Sequence, residues 1–470
     1  MLRAELSRAT THPGCFPVPD GLAYLPFQQA AIDYALQCFD AGVGCLIGDE
    51  MGVGKSIEAI GVINARRDIY RVLVISPFAA KLNWARELRK WLTRPLLVGV
   101  ADAKQAPDMD ITVVNWENLH RHNWGQVDVV IADEAHRAKN AHARRSQALY
   151  AIRTRYRLAL TGTPIRNRPA EFQPLLAWLD PRSWGDAWRY YRRYCAAYRQ
   201  QIGWERKPGG TGMRPRFVWD ISGASNLDEL QHRLRSSILI RRTKEQVLPA
   251  LPPKFRRVLE LPVDAQQRRV IVQEWQELAQ ALDLGQGGVD DGYHAAVEAL
   301  QQGDSAVFDS LSAVRQAVAL AKLPLAVAYI RDVLSADHSV IVFAHHRAVE
   351  DALHLAFPDA VLHRGGMTAL QQDRAVRAFQ DGESDLFIGS IQTSGEAITL
   401  TRSAHVIFVE GSWVPGEITQ CEDRSHRYGQ DRGVLIDHLV LEGSVDAVML
   451  RRVVAKQETL DRALDPGGAA

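Results

Sequence analysis

Two short segments carry side chains suited to handling a nucleoside triphosphate. GDEMGVGKS (48–56) follows the strand-like run CLIGD and leads into IEAIGVI, an apolar helical pattern. Glycines let backbone N–H groups approach phosphate oxygens, a lysine reaches the β and γ oxygens, and a hydroxyl ligates Mg²⁺. Gly52, Gly54, Lys55 and Ser56 fit those roles, and Asp49, Glu50, Met51 and Val53 complete the loop. The first glycine expected of such a loop is absent, its place taken by Asp49. Alone, the segment also reads as an incidental glycine-rich turn before a helix. The second segment, VDVVIADEAH (127–136), delivers two adjacent carboxylates at the end of a strand-like run. Asp133 would hold Mg²⁺ and Glu134 would orient or deprotonate the attacking water. Any single Asp-Glu pair also reads as an acidic turn capping a helix. A phosphate loop upstream, with a strand before each motif, points instead to an ATPase.

Two further motifs fit the same chemistry. In LTGTPIRN (160–167), the Thr161 and Thr163 hydroxyls are placed to relay the state of the γ-phosphate, although a plain Gly-Thr-Pro turn fits equally well. In QCEDRSHRYGQ (420–430), Arg424 and Arg427 are three apart and share a face if the segment is helical. An arginine presented to the γ-phosphate from a neighbouring lobe supplies about 10³–10⁵ in rate. A solvated helix face is the competing reading.

Positioning these groups requires parallel sheets. Short runs of β-branched and aliphatic residues recur at 45–49, 72–77, 111–115, 127–134 and 157–164, and again at 340–345, 385–390, 405–410 and 435–440. Helix-like stretches separate them, the pattern of buried parallel strands in α/β domains. The expected fold is therefore α/β, with two tandem parallel-sheet lobes. LPALPP (248–253) breaks any helix and sets the boundary between them. The expected divisions are an N-terminal tail (1–20), a first lobe (21–248), a second lobe (254–465) and a frayed tail (466–470). Helical insertions without strands are expected at about 170–245 and 264–335.

The chain has 470 residues, 56 Lys and Arg against 55 Asp and Glu, and 46% hydrophobic residues. That composition excludes a disordered tail, a collagen-like repeat and a disulfide scaffold. The cysteines number five, an odd count, and no two show C-x-x-C spacing, so a reduced cytoplasmic protein without a zinc finger is expected. No signal-peptide run or membrane-length apolar window stands out.

In their order, the motifs resemble those of the Swi/Snf-type DNA translocases of helicase superfamily two. The resemblance runs from about residue 25 to about 464 through LPFQQ, DEMGVGKS, SPFAAKLNWARELRKW (76–91), VVNWENL (113–119), DEAHRAKN, LTGTPIRN, LIRRTKEQVLPALPPK (239–254), LHRGGM (362–367), SGEAITLT (394–401) and QCEDRSHRYGQ. It implies RecA-like lobes and a DEAH-box ATPase using ATP and Mg²⁺. It assigns Gln28 to the adenine base and places Arg424 and Arg427 at the arginine-finger positions. Within that family FVWDISGASNLDEL (217–230) is most similar to the annealing-helicase branch, which remodels forked DNA. The implied activity is ATP-driven movement on duplex or forked DNA, with strand annealing as one form and a strand-separating helicase or DNA-bound scaffold as alternatives. The expected partner is DNA and no membrane; a monomer suffices. The chain departs from the family at Ile398-Thr399-Leu400, where the motif normally carries Gly-Leu before Asn or Thr. An isoleucine there is expected to weaken the coupling of ATP to DNA.

The near-zero net charge conceals an asymmetry. Residues 137–216 contain 18 Lys and Arg against 4 Asp and Glu, an excess of 14 positive charges, leaving the remainder net acidic. Such a block is a nucleic-acid footprint. Trp184, Trp188, Tyr190, Tyr191, Tyr194, Tyr198 and Trp204 lie within it, and RYYRRYCAAYR (189–199) is expected to lay Arg and Tyr along a phosphate backbone. The competing reading gives a helix with core aromatics and solvated arginines. By resemblance, Lys81, Asn83 and Trp84 are further expected DNA contacts.

Overall fold

Every apolar run picked out above as a buried strand forms one in the computed structural model. The model describes residues 3–162, 168–206, 213–281, 305–395, 398–412, 415–444, 447 and 450. The chain divides into two units, residues 1–249 and 250–470.

The first unit contains β1 (Cys45–Ile47), β2 (Val72–Ser76), β3 (Val98–Val100), β4 (Ile111–Asn115), β5 (Gln126–Asp133) and β6 (Arg153–Leu160). It continues with β7 (Tyr198–Arg206), β8 (Met213–Asp220) and β9 (Leu239–Ile240). Seven of these form one sheet in the order β3-β4-β2-β5-β6-β1-β9, parallel throughout. Strands β2 and β4 are buried along their whole length, as a sheet covered on both faces requires. Trp116, Phe172 and Trp184 belong to the core beneath it. The register aligns the functional ends, because Ile47 and Asp133 both pair with Leu160. The phosphate loop after β1 and the carboxylates after β5 therefore sit two strand spacings apart, about 10 Å, with the β6 end between them.

The second unit holds β10 (Lys254–Leu261), β11 (Val340–Ala344), β12 (Val361–His363), β13 (Leu386–Ser390), β14 (His405–Phe408) and β15 (Val434–Leu441). Its parallel sheet has the order β10-β15-β14-β11-β13-β12. Phe343, Phe387 and Phe408 fill one face, each contributing about 1.5–3 kcal/mol by burial. Helices Ala265–Ala281 and Ser305–Ala336 pack together in the stretch expected to be helical.

Three expectations need correction. The 170–245 stretch is not purely helical: β7 and β8 form an antiparallel hairpin and β9 joins the sheet. The RYYRRYCAAYR segment is a helix only over Ala187–Tyr194, and Tyr198 already opens β7. The N-terminal segment is no free tail. Leu6 and Ser7 are fully buried, and Tyr24 donates to the Pro17 carbonyl at 3.0 Å. The expected frayed end at 466–470 lies outside the described residues.

Candidate active site

The phosphate loop turns on two glycines in the left-handed region, Gly52 (φ 86°) and Gly54 (φ 101°). A side chain at Gly54 would also put its Cβ 2.6 Å from Gln28 Nε2 and displace that amide, so the positive φ favours glycine there and the glutamine's position adds to it. Lys55 opens the helix Lys55–Ala65 and folds back over the loop. Its ammonium donates to the carbonyls of Asp49 (2.9 Å) and Glu50 (3.0 Å). Burial lowers the Lys55 pKa, an effect opposed by Glu134, Asp49 and Asp133. Ser56 is half-buried beside it, while Met51 and Val53 are buried. Gln28 is buried too: its carbonyl oxygen accepts from Leu25 N–H and its amide donates to the Val53 carbonyl at 3.2 Å. The glutamine thus holds the loop from behind.

Asp49 departs from its expected role. Its carboxylate is fully buried and paired with Arg242, accepting also from the Arg242 backbone N–H at 2.8 Å. Only its backbone carbonyl faces Lys55, so no glycine is needed at that position. Glu50 likewise turns its carboxylate to the Lys244 N–H, at 2.7 Å. The same Arg242 guanidinium reaches Glu58 at 3.3 Å and donates to the carbonyls of Phe27 and Ala9. Arg241 donates to the carbonyls of Gly48 (2.8 Å) and Gly162 (3.0 Å), tying the ends of β1 and β6. In the sequence these two arginines stood only within LIRRTKEQVLPALPPK, one of the stretches that carry the family resemblance, and this role was missed. The signal available was an aspartate at a glycine position, and far along the chain two arginines directly after the short buried strand β9.

At the end of β5 the two carboxylates are held differently. Asp133 Oδ2 accepts from the Trp84 indole at 2.8 Å, Oδ1 accepts from the Glu134 N–H at 3.0 Å, and the Trp116 indole donates to the Asp133 carbonyl at 2.9 Å. Glu134 adopts φ 49°, a sparsely populated conformation for a non-glycine residue. One of its oxygens lies 3.2 Å from His136 Nδ1, which is also 3.0 Å from the Thr161 hydroxyl. That contact links the Asp-Glu-Ala-His turn to the end of β6; Thr163 lies outside the described residues. Burial and the neighbouring Glu134 push the Asp133 pKa up to about 7, against the Trp84 hydrogen bond and Lys55, which lower it. Two adjacent buried carboxylates facing a lysine are electrostatically undercompensated, and this donor set suits a divalent cation.

Two expected DNA contacts are thereby corrected. Trp84 is 2% exposed and orients Asp133. Lys81 is 4% exposed, and its ammonium donates to the Ala101 carbonyl at 3.2 Å. Asn83 stays half-buried near Arg86. Within the basic block, Trp184, Tyr190 and Tyr194 are core residues, whereas Trp188, Tyr198 and Trp204 are exposed.

In the second unit, the helix Pro415–Glu422 ends before the arginines, so they share no helix face. They converge through a common acceptor instead, the Ile398 carbonyl, at 3.4 Å from Arg424 Nη1 and 2.9 Å from Arg427 Nη1. The Ile398 side chain is buried in the phenylalanine core, which accounts for an apolar residue where the family motif differs. Glu422, two residues ahead of Arg424, is clamped by Lys254 (2.9 Å) and Arg256 (2.7 Å) on β10. Those cations hold its carboxyl down to about 2 despite burial.

Two outcomes follow for the first unit. A carboxyl whose pKa is raised by folding keeps its proton longer in the native state, so stability falls as pH rises from about 4 to about 7. Asp133→Asn should therefore melt above wild type at pH 8, with the difference shrinking toward pH 5; equal melting temperatures at pH 8 would refute the undercompensated pair. Arg242→Met strands Asp49 and Glu58 as buried carboxylates, and chemical denaturation should show a loss of about 3–5 kcal/mol.

A model of the SNF2-related domain matches residues 27–291, and a model of the helicase conserved C-terminal domain matches residues 325–429. The mouse protein named DNA annealing helicase and endonuclease ZRANB3 is 31% identical over 459 residues, covering 92% of this chain and 40% of that protein. Its human counterpart is 32% identical over 465 residues, with the same coverage. The Xenopus tropicalis SWI/SNF-related matrix-associated actin-dependent regulator of chromatin subfamily A-like protein 1 is 30% identical over 468 residues, covering 94% and 45%. The chain thus spans less than half the length of these relatives. Among solved structures, the Sulfolobus solfataricus SWI2/SNF2 ATPase core in complex with dsDNA shows 20% identity and a TM-score of 0.43, covering 94% of this chain and 93% of that one. The SNF2-related model takes in more than half of the chain, including the phosphate loop and the carboxylate pair, and on that ground the chain belongs to the SNF2-related family of helicase-type ATPases.

Proposed function

We propose that this chain is an ATP-driven translocase that moves on duplex DNA and remodels forks, acting in the cytoplasm. The observation that carries the reading is the meeting of three elements at the carboxyl ends of β1, β6 and β5: the phosphate loop with Lys55, the Asp133–Glu134 pair, and the Thr161–His136 contact. ATP is the substrate this site fits, with the loop's N–H groups and Lys55 on its phosphates. Ser56 and Asp133 would hold Mg²⁺, whose charge neutralises the β and γ oxygens. Glu134, fixed in a left-handed turn beside His136, orients the attacking water and takes its proton. Gln28, which donates to the Val53 carbonyl, is the residue this reading assigns to the adenine base. Arg424 and Arg427 are the groups this reading assigns to transition-state charge.

DNA as the track draws support from the basic block and from relatives named as annealing helicases. The cytoplasm accords with five free cysteines, and no helix among the described residues is long and apolar enough to cross a membrane.

One ATPase panel tests the proposal: no nucleic acid, single-stranded DNA, duplex, fork and RNA. Hydrolysis should rise with DNA, most with forks, and not with RNA. Lys55→Ala and Glu134→Gln should each lose at least about 10²-fold in DNA-stimulated turnover while keeping the native circular dichroism. Near-wild-type turnover in either variant contradicts the site, and equal stimulation by RNA contradicts the choice of DNA.

A further inference from the structure

The β7–β8 hairpin contributes none of the ATP-site residues named above, yet it carries most of the exposed aromatic side chains among the described residues of the first unit: Tyr198, Trp204, Phe217 and Trp219. In its antiparallel register Arg199 faces Trp219 and Gln201 faces Phe217. A bulge between Gln201 and Gly203 then brings Trp204 opposite Pro215. Side chains alternate between the faces of a ribbon, and the extra residue in the bulge restores Trp204 to the face that carries Phe217 and Trp219. That face is an open ladder of Trp219 (40% exposed), Phe217 (47%) and Trp204 (62%). Trp188, from the preceding helix, extends it with its ring centroid 5.2 Å from that of Trp219. The opposite face holds Gln200, Arg216 and the Tyr198–Asp220 hydrogen bond.

Exposed tryptophans on a two-stranded ribbon are costly to leave in water, and here they come with cations. The Arg199 guanidinium lies 5.6 Å from the Phe217 ring centroid and 5.8 Å from that of Trp219. Arg189 and Arg192 are exposed on the adjacent helix, inside the block with an excess of 14 positive charges. Aromatic rings interleaved with arginines match a polyanion carrying flat apolar groups. Paired DNA presents its phosphates but hides the faces of its bases, whereas unpaired DNA presents both.

We propose that this hairpin face is a stacking platform for the unpaired bases of single-stranded DNA, with Trp204, Phe217 and Trp219 receiving bases and Arg199 and its neighbours receiving phosphates. It gives the chain a hold on single strand separate from any hold on the duplex. It extends the translocase reading but is a matter of binding alone, so a failure at the ATP site leaves its test intact.

The test uses the full chain without nucleotide and measures affinity for a fluorescent oligo-dT and for a blunt duplex. The triple variant Trp204→Ala/Phe217→Ala/Trp219→Ala should bind oligo-dT at least about tenfold more weakly, with duplex affinity and the melting temperature unchanged. Trp204→Phe/Trp219→Phe, which keeps the rings, should retain oligo-dT binding. The proposal is overturned if the triple variant binds oligo-dT like wild type, or if its oligo-dT and duplex affinities fall together. It is equally overturned if oligo-dT binding persists while self-association in sedimentation is lost, which would make the face a protein-docking surface.

Discussion

One guanidinium organises the first lobe. Arg242 is fully buried and reaches the Asp49 and Glu58 carboxylates and the carbonyls of Phe27 and Ala9. It thereby joins the N-terminal segment, the helix carrying Gln28, the start of the phosphate loop and the helix that follows it. A buried charge so placed is tolerable only because every direction of the fork meets an acceptor. With the loop entrance fixed, Gly52 and Gly54 can turn the backbone outward and Lys55 can lie across it.

The carboxylate pair works by the opposite logic. Asp133 and Glu134 are held close, desolvated and only partly compensated by Lys55 and the Trp84 indole. That arrangement costs stability in the free protein and would be relieved by a bound cation, a common trade at reactive sites. In the second lobe, Lys254 and Arg256 settle the charge of Glu422, and the nearby Arg424 and Arg427 share the Ile398 carbonyl, with Arg424 also donating to the Gln420 carbonyl. There the acid is fully compensated; at the end of β5 it is not.

The local chemistry was legible in the sequence to an uneven degree. Apolar runs marked the buried parallel strands, because a strand covered on both faces has few polar residues. The short strands β3, β9 and β12 escaped notice, since two or three residues carry no period. The hairpin was hidden because its apolar positions are exposed and its bulge breaks the alternation. That Lys55, Asp133 and Glu134 come close together was readable from their types and from the strand-like run before each motif. Arg242 was not, because its partner Asp49 lies nearly two hundred residues earlier and only the sheet brings them together. Trp84 and Lys81 were misread for a related reason: an amphipathic helix does not reveal which of its polar groups will be buried against a neighbouring loop. Nor does the departure at Ile398 show, from sequence alone, that the residue's side chain belongs to the core and its carbonyl to the arginines.

The proposed function requires the Lys55–Asp133–Glu134 site to power movement along DNA. Displacement of a third strand from an intact duplex triplex tests it most directly, because movement along the duplex can release that strand without separating the duplex. Wild type should displace the third strand with ATP, and no displacement should occur with a non-hydrolysable analogue or with Glu134→Gln. Brisk DNA-stimulated hydrolysis by wild type with the third strand left in place would contradict it.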